Sequence, residues 1–151
     1  MKLAEALKLR ADLKERIDSM GDRLNMNAKV QEGESPAEDP YELMKEMDSM
    51  LNEYEEIIWR INHTNASTVG ANGRTITQLI AHRDALTERY SMMKEFLDSA
   101  SSLVGRHSVS EIRVISTVSV PELRREVDAV AKELRLTDNT IQELNWTTEL
   151  I

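Results

Sequence analysis

Residues 75–104 read TITQLIAHRDALTERYSMMKEFLDSASSLV, and this stretch decides the fold. Within it Ile76, Leu79, Arg83, Leu86, Tyr90, Met93, Leu97, Ala100 and Val104 recur at alternating steps of three and four. That rhythm lays one stripe along an α-helix, and an alternation this regular is the seam of a coiled-coil-like pairing. Thr75 and Gln78 stand at the spacing in which a hydroxyl and a carboxamide cap a first turn reciprocally. One seam position, Arg83, carries a charge.

Working outward, the same spacing appears three more times. Ala6, Leu9, Leu13, Ile17, Met20 and Leu24 form a first stripe, and Met44, Met47, Leu51, Tyr54, Ile58 and Ile61 a second. The second has a marked start: Asp39 is a capping residue, Pro40 suits the first helical position, and Glu42 can reach back to the cap's amide. The fourth stripe runs Leu123, Val127, Val130, Leu134, Thr137, Ile141 and Leu144, after the capping pair Ser119 and Glu122. Residues 137–140 (TDNT) are poor helix formers and predict a point where that helix can bend.

Two stretches depart from the helical period. Residues 110–120 (SEIRVISTVSV) are rich in β-branched side chains, with Ile112, Val114, Val118 and Val120 on one face by strand alternation. A short strand is expected there, and since a lone strand leaves its amides unpaired, residues 28–32 (AKVQE) are its expected partner. Residues 33–39 and 64–73 read as connections. The chain, residues 1–151, therefore reads as a single helical domain. Its expected class is mainly α: long antiparallel amphipathic helices in hairpins or a bundle, coiled-coil-like, with a short β element.

Composition narrows the function. There is no cysteine, which excludes disulfides, thiolate metal sites and a thiol nucleophile, and fits a reducing compartment. Residues 1–10 (MKLAEALKLR) break any apolar run with charges, so no secretory signal is read there and a cytoplasmic protein is expected. The longest uncharged stretch, 61–73, is polar and too short to span a bilayer. Nineteen basic against 27 acidic residues give a net charge of −8, which repels a phosphate backbone. With two Trp, three Tyr and one Phe, base-stacking platforms are also scarce, and nucleic acid is not an expected partner.

No catalytic motif emerges. His63, His82 and His107 are widely spread and no Glu-x-x-His or His-Glu-x-x-His occurs, so neither metal nor cofactor is expected. Asp84 and Glu88 lie one helical turn apart, which on a charged helix is a solvated face rather than a cation site. Glu32, Glu34, Glu38 and Asp39 crowd a loop without the layout of a calcium hand. The glycosylation tripeptides at Asn62, Asn65 and Asn145 carry no weight without a secretory signal. Residues 70–73 (GANG) precede a helix N-terminus and read as a turn. The methionines fall mostly on the seams, as adaptable core.

Several stretches carry a family resemblance: 7–17 (LKLRADLKERI), 27–33 (NAKVQEG), Thr64-Asn65, 74–77 (RTIT), Arg83-Asp84, 110–112 (SEI) and the tail 141–150 (IQELNWTTEL). Through these the chain resembles the septicolysin-like family of small helical bacterial proteins. The resemblance implies a helical fold and, by the family's label, a membrane-active cytolysin, although neither a signal nor a strongly apolar helix is present for that task. The residues themselves favour a non-enzymatic helical protein that self-associates, as a homodimer, or acts as a scaffold. The alternative is a small-molecule or metal binder built around Arg83, Asp84 and His82. A charge in mid-seam is costly to bury unless a carboxylate meets it, so Arg83 is expected to face one, and to fix register. In the tail, Trp146 and Leu150 are expected to dock.

Overall fold

A computed structural model of the chain describes residues 1–102 and 112–151. Among these residues there are four α-helices: α1 (Leu3–Met26), α2 (Pro40–Ser67), α3 (Ile76–Ser101) and α4 (Val120–Thr147). The chain divides into two compact units, Met1–Val69 with Leu144–Ile151, and Gly70–Glu143.

The helix starts follow local chemistry. Asp39 caps α2 by accepting from the Tyr41 amide at 2.9 Å, with Pro40 in the first turn. Glu42 instead accepts from Lys45 at 2.6 Å rather than reaching back. At α3 the capping box is complete, with Gln78 N donating to Thr75 Oγ1 and Thr75 N to Gln78 Oε1. The turn before it closes through Gly73 at φ +76°, a left-handed conformation that favours glycine. Helix α4 runs unbroken through Thr137 to Thr140, where Thr140 Oγ1 returns a bond to the Leu136 carbonyl. The weak turn stays helical between the partly buried Leu134 and the buried Ile141, since tertiary packing overrides propensity.

In the first unit α1 and α2 pack antiparallel, Met20 near the end of α1 meeting Leu43 and Met50 near the start of α2. Buried positions recur every seven residues: Ala6, Leu13, Met20 and Asn27 on one side, Leu43, Met50, Ile57 and Thr64 on the other. The α1 seam is the expected one. On α2 half of the expected seam holds, with Ile61 buried and Met47 and Tyr54 partly buried, while Leu43, Met50 and Ile57 take the inward places expected of Met44, Leu51 and Ile58. Two apolar stripes run side by side on this helix, and spacing alone does not say which is buried.

Each seam ends on a polar residue that holds the chain beyond it. Asn27 donates from Nδ2 to the Arg23 carbonyl and accepts the Glu38 amide, fixing the α1–α2 connection. Arg23 binds Glu38 at 2.5 Å and Glu46 at 3.6 Å, and hydrogen bonding to Arg23 holds the Glu38 carboxyl below its ordinary value of 4.5. Thr64 Oγ1 donates to the Arg60 carbonyl and accepts the Ile151 amide. The tail is ordered: Leu150 N bonds Met1 O at 2.8 Å, Leu3 N bonds Thr148 O at 3.0 Å, and Lys2 pairs with Glu149 in an antiparallel bridge. Leu150 is buried as expected, but Trp146 is 65% exposed and does not dock. The backbone pairs and Leu150 seat the tail, and the last turn of α4 leaves the indole outside.

In the second unit Leu79 and Leu86 of α3 and Leu123, Val127 and Val130 of α4 are buried, and the two helices meet where His82 approaches Glu133. No strand occurs among the described residues, which corrects the expected β element. Residues 112–116 have no regular structure, and Ile112, Val114 and Ile115 are exposed. Nearby, Ser116 Oγ donates to the Val118 carbonyl, a local turn that competes with a ladder. The expected partner segment is likewise tied into turns, with Ala28 N on Asn25 O and Glu34 N on Gln31 O. β-branched composition makes a strand only where a neighbour pairs it. Ser110 and Glu111, from the same expected strand, lie outside the described residues.

Candidate functional site

The three residues singled out by sequence, His82, Arg83 and Asp84, lie on the second turn of α3, but they do not converge. His82 turns toward α4, where Nε2 stands 3.0 Å from Glu133 Oε1. The next residue around the helix, Arg83, puts Nε and Nη2 on Asp84 Oδ1 at 3.0 and 2.7 Å. Its Nη1 lies 4.0 Å from Asp138 of α4. The mid-seam charge is therefore met by carboxylates of the same chain, and the guanidinium stays about a third exposed, 33%.

His82 and Glu133 line an open hollow of about 220 Å³ together with Asn72, Arg74, Thr137, Thr140 and the apolar Leu79 and Leu136. Arg83 and Asp84 do not reach it. The hollow lies below the roughly 300–1,000 Å³ of ligand clefts, and its acid and base already engage each other. No group of three or more His, Asp or Glu that could hold a metal ion occurs among the described residues. Among them too, no helix is long and apolar enough to cross a membrane.

Two other features were not singled out by seam reasoning. On α2, Trp59 is 59% exposed and stacks on His63, ring centroids 5.5 Å apart and nearly parallel. Its sequence signal is the four-residue spacing of two aromatic rings on the side of α2 opposite the core. At the other end of the chain's second unit, Phe96, Val114 and Ile115 border a hollow of about 240 Å³ whose remaining lining is Ser99, Ala100, Ser102, Ser116 and Thr117. That lining bears no charge. Its signal was the run of β-branched residues assigned above to a strand.

A family model of a family of unknown function, DUF6847, matches residues 10–150. The chain belongs to that family. A solved structure, described as a functionally unknown conserved protein from Corynebacterium diphtheriae, is 38% identical to it with a TM-score of 0.84, covering 100% of this chain and 99% of that one. No protein of curated function matches. These findings overturn the resemblance to the septicolysin-like family. The stretches that carried it have structural explanations in this fold: residues 7–17 are ordinary amphipathic-helix sequence, and the tail's backbone bonds and buried Leu150 serve its seating beside Met1 and Thr64. They mark a helix and a docked terminus.

Proposed function

We propose that this DUF6847 protein is a non-enzymatic helical interaction protein that self-associates as a dimer. The observation that carries the reading is the uncharged, apolar rim formed by Phe96, Val114 and Ile115 in the second unit. Exposed apolar groups gathered at one place mark an interaction surface. A twofold interface brings a patch against itself, so a patch free of charge meets no like-charge repulsion even in a chain of net charge −8. The heptad seams support the same reading. A cytoplasmic location fits a chain with no cysteine to oxidise.

Light scattering at micromolar concentration tests it. The expected result is a dimer for the unaltered chain and a monomer of unchanged helical content for Phe96→Glu. A monomer for the unaltered chain across that range overturns the proposal.

A further inference from the structure

A second surface, on the first unit, has different chemistry. Helix α2 buries Leu43, Met50 and Ile57, and on its outward side Tyr41, Met44, Asp48, Leu51, Glu55 and Trp59 are all exposed. At 3.6 residues per turn these six fall within a sector of roughly 80°, and from Tyr41 to Trp59 they extend about 27 Å. The apolar members alternate with the acids along that strip. Beside it lies a hollow of about 450 Å³ lined by Asn52, Glu55, Glu56 and Trp59. The ring of His63 stacks on the indole, so Trp59 presents an aromatic wall next to two carboxylates.

Charge selects the occupant. Helix α2 bears Glu42, Glu46, Asp48, Glu53, Glu55 and Glu56 against Lys45 and Arg60. Glu42 is paired with Lys45 and Glu46 with Arg23, whereas Asp48, Glu55 and Glu56 carry no ion pair among the described residues. A second copy of the same face would set carboxylate against carboxylate. A helix carrying lysine or arginine among apolar residues meets every group here: its apolar side chains cover Met44 and Leu51, and a cation enters between the carboxylates and the indole, the strongest aromatic partner for a cation. We infer that the outward face of α2 docks a cationic amphipathic helix of another protein, a lysine or arginine of which seats against Trp59 and Glu55. This surface shares no residue with the Phe96 rim, so the two proposals stand or fall separately.

The test uses the full chain carrying Trp146→Phe, so that Trp59 is its sole indole, titrated with an 18-residue amphipathic Leu/Lys helix and with its Leu/Glu counterpart. The expected result is saturable binding of the Leu/Lys helix, a blue shift of Trp59 emission, and at least tenfold weaker binding of the Leu/Glu helix. Glu55→Lys should weaken the Leu/Lys helix at least tenfold, as should Trp59→Ala read by anisotropy of a labelled peptide, while Phe96→Glu should leave its affinity unchanged. Equal binding of both peptides, or full affinity in Glu55→Lys and Trp59→Ala, overturns the inference. A shift of Trp59 emission on concentrating the protein alone also overturns it, since a second copy then covers the face.

Discussion

The two units solve the same packing problem with opposite treatments of polarity. In the first, the seven-residue repeat is apolar through its length and turns polar only at its last members, Asn27 and Thr64, each of which captures a passing backbone. In the second, the polar member sits mid-seam at Arg83 and is answered by carboxylates at the surface. A polar group at the end of a seam can satisfy every bond with main chain and be buried, as Thr64 is at 0% exposure. One in the middle has only side chains to meet and stays partly in water. The first unit should therefore respond sharply to substitution at its seam and the second more softly at its charge.

The largest effect is expected at Met20, buried against Leu43 and Met50. Met20→Ala should cost about 2–5 kcal/mol, measured by urea denaturation; a loss under about 1 kcal/mol would show that the antiparallel α1–α2 contact is not formed. Thr64→Val keeps the shape but removes the hydroxyl that accepts the Ile151 amide and donates to Arg60 O. It should cost about 1–3 kcal/mol, the penalty of an orphaned buried group. Trp146→Ala should stay within about 0.5 kcal/mol, as for an exposed side chain. Should Trp146→Ala prove the costlier of the two, the tail is held by its indole and not by its backbone.

That contrast also shows what can be read from a sequence of this kind. The seams of α1, α3 and α4 were legible because each carries one apolar stripe, and the α3 start was legible because Thr75 and Gln78 leave little choice. On α2 the spacing is degenerate, with 43/50/57 and 44/51/58 equally periodic, and only the position of α1 decides between them. The strand was misread because β-branched residues at 112, 114 and 118 suit a ladder that no neighbour supplies. At the candidate site, the identity of His82, Arg83 and Asp84 was legible but their partners were not. Glu133 and Asp138 lie 51 and 55 residues further along, and no local spacing links them to α3.

Acid should probe the first unit further. Hydrogen bonds to Arg23 depress the Glu38 carboxyl, and hydrogen bonds to Lys2 and the N-terminal amine depress that of Glu149, both from an ordinary value of 4.5. A carboxylate with a lowered folded value adds stability above its unfolded value and loses it as pH falls through the folded one. Stability should accordingly be flat above about pH 5 and decline below 4.5, by a small amount because both groups are solvent-exposed. In Glu38→Gln with Glu149→Gln, melting-temperature curves should lose part of that decline. An identical acid slope in the double variant would place the depression elsewhere.

A small effect is expected at Arg83 too, where intuition from the seam alone suggests a large one. Its flanking seam residues Leu79 and Leu86 are buried, yet the guanidinium reaches out to Asp84 on its own helix and approaches Asp138 across the pair only at 4.0 Å. Exposed pairs of this kind are worth about 0–1 kcal/mol. Arg83→Leu gives up that attraction and gains apolar contact beside Leu79 and Leu86, so the two changes oppose each other and the net shift should lie within about 1 kcal/mol. A double-mutant cycle of Arg83→Ala with Asp138→Ala isolates the interhelical part and should read under about 0.5 kcal/mol. Because both carboxylates belong to the same chain and the proposed dimer surface lies at Phe96, the scattering mass of Arg83→Leu should equal that of the parent. A changed mass at constant helicity would make Arg83 a register device between copies, and would transfer the dimer contact from the Phe96 rim to the α3 seam.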